Sequence, residues 1–179
     1  MDDRLKWLMP AAFVLGSSTC CYSTTYLSVP QAQKECFSGA DRFVQANIIF
    51  TPGQVKAIEA ASGQKVFSRG QQVWKAMQKG QLIGYFILDY VIGKHLAIDY
   101  AVALSASGAV RQVEVLTYRE SYGGEIRNAD WRKQFVGKNA RSRLSLNDDI
   151  RNISGATLSS RHVTEGVKRI LATYEICLK

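Results

Sequence analysis

Ile98-Asp99-Tyr100-Ala101-Val102-Ala103-Leu104-Ser105-Ala106-Ser107-Gly108, running on through Val110 to Tyr118, is the stretch that decides the fold. Ile98, Tyr100, Val102 and Leu104 alternate with smaller or polar residues, and Val113 and Val115 alternate with Gln112 and Glu114. A period of two marks half-buried strands. Ser105-Ala106-Ser107-Gly108 is turn chemistry between two such runs, so they form a hairpin. A sheet organised around this hairpin is largely antiparallel.

Upstream, Val66–Phe67, Val73–Met77 and Leu82–Tyr90 read as further strands, separated at Arg69-Gly70 and Lys79-Gly80. Ser28-Val29-Pro30-Gln31 and Thr51-Pro52-Gly53-Gln54 each combine a capping residue, an early proline and a glutamine three residues on. Each predicts a short helix, the first ending near Gly39 and the second at Gly63, with a strand over Phe43–Phe50 between them. Downstream, Val163, Val167, Ile170, Leu171 and Tyr174 have the spacing of one buried face on a helix reaching the last residues. The expected class is α+β: a largely antiparallel sheet with a hairpin, packed by a C-terminal helix and short N-terminal helices. Residues 25–80 read as a structural N-terminal segment and residues 81–179 as the functional domain.

Residues 1–24 differ in kind. Arg4 and Lys6 precede the apolar run from Trp7 to Gly16, and small residues follow up to Cys20. That order is a signal peptide, or an uncleaved N-terminal anchor if Asp2 and Asp3 spoil recognition. Cys20 or Cys21 is a possible lipid acceptor in a poor lipidation context. Export to the periplasm or the outer face of the cytoplasmic membrane is the expectation. Cys36 and Cys177 then remain, either as a disulfide tying the first helix to the last or as two buried thiols. The cysteines have no metal-ligand spacing, and no metal site is expected.

The chain has 179 residues and a formal charge of +8, all of it contributed beyond the leader. A basic surface suits an anionic membrane, an acidic partner or an anionic cofactor. The basic residues are scattered and no nucleic-acid motif is present, so nucleic acid is not an expected partner. No nicotinamide fingerprint, nucleophile–base pair or carboxylate dyad is visible, and no catalytic residue is assigned.

Two stretches carry candidate chemistry. Ser154-Gly155-Ala156-Thr157 opens the terminal helix, whose first N–H groups and dipole attract anions. Gly155 and Ala156 admit a bulky phosphate to the backbone, and Thr157 offers a hydroxyl there. A helix cap without ligand is the alternative reading. The other stretch, Tyr118-Arg119-Glu120-Ser121-Tyr122-Gly123-Gly124-Glu125, has two glycines beside charged and aromatic residues, a loop with unusual backbone angles.

Taken in order, five segments between Leu82 and Ile176 resemble one family. They are Gly84-Tyr85, the Ser/Gly hairpin, Glu120-Ser121-Tyr122-Gly123-Gly124, Trp131 to Lys138, and Ser154-Gly155-Ala156-Thr157. The resemblance is to the FMN-binding domain of the C subunit of sodium-pumping NADH:quinone reductase and of the G subunit of the Rnf complex. Small stand-alone exported members of that family are nearer still. The resemblance implies FMN held covalently through a phosphoester to Thr157, made by a separate flavin transferase. Ser159 and Ser160 are alternative acceptors, and Ser154 and Ser159 are expected to cap the helix or bond the phosphate. Glu120, Ser121, Tyr122 and Gly123 are expected to line the isoalloxazine ring, with Tyr122 stacked on it or simply exposed. His162 either reaches the flavin or sits on the helix surface, and Trp131 packs in the core.

Two departures stand out. Many relatives have an aspartate where this chain has Arg151, with Asp149 the nearest replacement. The common Glu-Thr-Pro-Gly-Leu-Gly loop here has tyrosine for proline. The resemblance implies an exported electron carrier passing electrons to or from a membrane-bound cytochrome or ferric-reductase-like partner. A stand-alone flavin-dependent reductase, and a non-flavinylated binding or adaptor module of the same fold, are the alternatives.

Overall fold

A computed structural model describes residues 24–179 of the chain, so the leader reading lies outside the described residues apart from Thr24. In chain order the elements are β1 (Thr24–Thr25), α1 (Val29–Cys36), β2 (Arg42–Gln45), β3 (Ile48–Ile49), α2 (Pro52–Ser62), β4 (Gly70–Gln78) and β5 (Gln81–Ile92). They continue with β6 (Ala97–Ser105), β7 (Val110–Tyr118), α3 (Ala129–Lys133) and α4 (Thr157–Cys177), with a 3₁₀ turn at Gly124–Arg127. The strands form one antiparallel sheet in the order β1-β7-β6-β5-β4-β2, with β3 paired to β4 beside β2. The architecture is the expected α+β one.

Local chemistry explains both helix starts. In α2 the Thr51 hydroxyl accepts from Gln54 N–H at 3.2 Å, while the Gln54 side chain accepts from Thr51 N–H at 2.9 Å. Gly63 then stops the helix at φ +69°, where a side chain would be strained. The expected strand over Phe43–Phe50 is broken in two. The Asn47 side-chain oxygen accepts from Val73 N–H at 3.1 Å, replacing a backbone acceptor and ending β2. Val66–Phe67 is a loop and not a strand, because Val66 N–H bonds the Glu59 carboxylate at 3.0 Å and Phe67 points to solvent.

Strand alternation divides the core into two layers. Tyr85, Ile87, Tyr100, Val102 and Val113 face α4, where Val163, Val167, Ile170 and Leu171 are fully or almost fully buried. Phe86, Ala101, Ala103 and Leu116 face α1, with Ala32, Cys36 and Phe37. This arrangement decides between the two cysteine readings: Cys36 and Cys177 lie with helices on opposite faces of the sheet, and among the described residues both are free thiols. Cys177 is only partly buried. Burial, reinforced by Glu114 and Glu35, pushes the Cys36 thiol up to about 12, leaving it protonated and unreactive.

A buried polar triad fixes α4 on the sheet. Asp89 Oδ2 accepts from Tyr100 Oη and from an Arg169 guanidinium nitrogen, each at 2.8 Å. Asp89 and Arg169 side chains are only 9% and 12% exposed, so breaking the pair would leave a buried charge, at a cost of about 3–5 kcal/mol. Gly166 makes the approach possible. A Cβ there would lie 2.1 Å from Tyr100 Oη and 3.0 Å from Val91. Gly166→Ala is therefore expected to lower stability by about 1–3 kcal/mol in chemical denaturation. Adding Tyr100→Phe, which deletes the nearest clashing atom, should make the combined loss less than additive.

Candidate functional site

α4 begins two residues later than a Ser154 cap requires. Its N-cap is Ala156, with no side-chain bond to the first turn, so the expected capping by Ser154 or Ser159 does not occur. The leading N–H groups of the helix are therefore left without a side-chain acceptor, a natural place for an anion. Gly155 takes φ +83°, and nothing lies within 4 Å of where its Cβ would stand. Thr157, the first helical residue, is exposed. Ser159 and Ser160 are 5% and 0% exposed, which leaves Thr157 the accessible hydroxyl of the helical turn.

The glycine loop meets this turn through Tyr118. Its phenol donates a short bond to Tyr122 C=O, so the Ser159 hydroxyl, 3.1 Å away, must be the donor of that second contact. Burial holds the Tyr118 phenol above its ordinary value, keeping it a neutral donor. Gly123, at φ +93°, lies so close that a Cβ would stand 2.5 Å from Tyr118 Oη, 3.0 Å from Ser159 Oγ and 3.6 Å from Ala156 Cα. Gly123, Ala156 and Ser159 are thus brought together. Ser121 and Tyr122 are exposed beside them, Tyr122 at 87%.

Glu120 turns elsewhere. Its Oε1 accepts from His95 N–H at 2.5 Å and Leu96 N–H at 2.7 Å, closing the β5–β6 connection. His162 donates from Nδ1 to Ile92 C=O at 2.6 Å, tying α4 to the end of β5. Beyond it, a groove of about 550 Å³ runs along α4 past Phe67, Tyr90, Ile92, Glu165 and Arg169. Asp149 is spent on Lys138 Nζ at 2.9 Å and on Ser145 N–H at 2.8 Å, knotting its own loop.

Arg151 contributes its backbone. Its C=O accepts from Trp131 Nε1 at 2.7 Å and its N–H donates to Gln134 Oε1 at 2.9 Å, while its side chain is exposed. Trp131 is buried against Phe135, as expected of a core residue, and also anchors the approach to the motif. Two contributors carried no sequence signal. Tyr118 heads the glycine-loop stretch but nothing in the sequence separates it from the strand it ends, and Asn152, whose Nδ2 donates to Thr157 Oγ1 at 3.0 Å, reads as any loop asparagine.

An exposed hydroxyl at an uncapped helix start, beside a glycine that leaves open space, fits a phosphate ester. Comparison with known proteins gives this site its context. Residues 93–172 match the family model of the FMN-binding domain. The G subunit of the proton-translocating ferredoxin:NAD(+) oxidoreductase complex of Clostridium ljungdahlii is 31% identical over 107 residues, 55% of this chain and 58% of that protein. The G subunit of the Na(+)-translocating ferredoxin:NAD(+) oxidoreductase complex of Acetobacterium woodii is 24% identical over 114 residues, 58% of this chain and 55% of that protein. The chain thus spans little more than half the length of these relatives. The crystal structure of Shewanella oneidensis NqrC shares the fold with a TM-score of 0.55 at 15% identity, over 80% of this chain and 84% of that one. Residues 93–172 thus match an FMN-binding domain, in a chain similar over little more than half its length to the G subunits of these complexes. Among the described residues no helix is long and apolar enough to cross a membrane.

Glu120 gives a pH test of the loop. Partial burial pushes its carboxyl up, but the His95 and Leu96 N–H bonds together outweigh this and hold it below the ordinary value. A lowered folded-state value contributes stability above the unfolded value of about 4.3 that is lost as pH falls through the folded one. Denaturant midpoints measured from neutral pH down into this acid range should fall less steeply for Glu120→Gln than for the wild type. Parallel acid limbs would mean that these bonds are not formed in solution.

Proposed function

We propose that the chain is an exported electron carrier holding FMN through a phosphoester to Thr157. The observation that supports this most directly is Thr157 itself, an exposed hydroxyl on the first residue of a helix with no side-chain cap. Gly155 leaves room for the phosphate, and the first-turn N–H groups face its charge. Esterification at this position needs an activated flavin nucleotide and a flavin transferase, because direct condensation in water is unfavourable. When bound, FMN supplies the redox chemistry at its ring.

The protein's own contribution is attachment and placement. Tyr118 and Ser159 hold the Tyr122–Gly123 backbone against the start of α4, so Ser121 and Tyr122 stand beside the attachment point. In this reading Ser154, Gly155, Ala156 and Ser159 shape the phosphate end, while Glu120, Ser121, Tyr122 and Gly123 form the ring end. Glu120 acts there by fixing the neighbouring loop. The related G subunits belong to ferredoxin:NAD(+) oxidoreductase complexes, which suggests a membrane redox partner such as a cytochrome or ferric-reductase-like protein. A non-flavinylated adaptor of the same fold is the second reading, favoured by the exposed Arg151 side chain.

Intact mass decides between them. Chain recovered from the exporting compartment, co-expressed with a flavin transferase, should gain one esterified FMN. Thr157→Ala should gain none, and Thr157→Ser should retain part of the labelling. An unmodified wild type under these conditions favours the adaptor, and a labelled Thr157→Ala protein moves the acceptor elsewhere.

A further inference from the structure

We infer that Asn152 is a positioning residue for flavin attachment, holding the Thr157 hydroxyl in the orientation from which it attacks phosphorus. This rests on Thr157 being the acceptor.

The Asn152 amide reaches across the turn, with Nδ2 donating to Thr157 Oγ1 at 3.0 Å. An exposed threonine hydroxyl at a helix start would otherwise choose among rotamers. The amide itself is delivered by a braced backbone. Trp131 Nε1 and the Gln134 side chain hold the two polar groups of Arg151, the preceding residue, and Ala156 N–H bonds Ile153 C=O at 3.0 Å to close the turn. Asn152 Oδ1 is buried and has no hydrogen-bond partner among the described residues. Burying an acceptor without a donor is unfavourable, so packing alone gives no reason for an amide here.

The contact suits the reaction. The Oγ1–P bond forms as the P–O bond to the leaving group of an activated flavin nucleotide breaks. The leaving group takes the electron pair, and the hydroxyl proton passes to a base on the transferase or to water. Asn152 occupies one lone pair of Oγ1, leaving the other aimed outward and the O–H free to give up its proton. Fixing a nucleophile in this way acts on the rate of the bound complex more than on its formation.

The test is a time course of intact mass with purified flavin transferase and saturating flavin nucleotide, run on the full chain. Asn152→Ala should retain the wild-type melting temperature and the transferase KM for the chain, yet show kcat reduced roughly tenfold, the scale of one lost hydrogen bond. Asn152→Asp has no donor when ionised, so it should be equally slow at neutral pH and recover as acid restores an O–H. Trp131→Phe, which keeps an aromatic ring but loses the bond to Arg151, should lower kcat in the same sense. A wild-type kcat for Asn152→Ala overturns the inference, as does a loss confined to KM or an Asn152→Asp rate that, relative to the wild type at the same pH, rises with pH. Failure of the wild type itself to gain mass would instead count against flavinylation of the chain, the reading on which this inference rests.

Discussion

The depth at which α4 sits against the sheet governs everything at the site. Gly166 lets the helix descend until the Tyr100 phenol touches its backbone, and Asp89 gathers Tyr100 and Arg169 into one buried contact. Because α4 is a rigid rod, this anchor near its middle fixes its first turn as well. Ser159 is thereby held within reach of Tyr118, and the backbone of Gly123 fits against Ala156. The apolar face of α4 supplies the driving force, while the triad specifies its register.

Above that anchor, two loops compete for the same small volume. The loop after β7 enters through the close approach at Gly123, and the segment before α4 enters through the bonds from α3 to Arg151. Between them Thr157 is left exposed and bonded to Asn152 alone among the side chains of the described residues. Exposure of the hydroxyl and rigidity of its surroundings come from the same set of contacts. A mobile acceptor in an open turn would present its oxygen in many directions, and a buried one would present it in none.

Much of this was legible in the residues. The Ile98–Tyr118 hairpin, the caps of α1 and α2 and the inner face of α4 obey period and capping rules that act over a few residues. Readings that depended on distant partners fared less well. Asn47 breaks a strand only because Val73 arrives opposite it, and Ser154 fails to cap α4 because the helix starts after Ala156. The two-residue β1 has too short a pattern to notice. At the site, the glycine loop and the Thr157 turn could be named from sequence, and the structure places Gly123 against Ala156. The roles of Tyr118 and Asn152 could not be assigned, since their importance lies in which atoms they meet across the fold.

β1 itself has a geometric consequence. Thr24 pairs with Tyr118 and Thr25 with Thr117, antiparallel, so the chain enters the sheet beside the end of β7. That is the end at which Tyr118 clasps the start of α4. Anything tethered through the residues ahead of Thr24 therefore pulls on the same pole of the molecule that presents Thr157. The spacing between Thr24 and Thr157 is then set by the pairing of β1 with β7 and by the contact of Tyr118 with α4, and not by the length of the connecting chain.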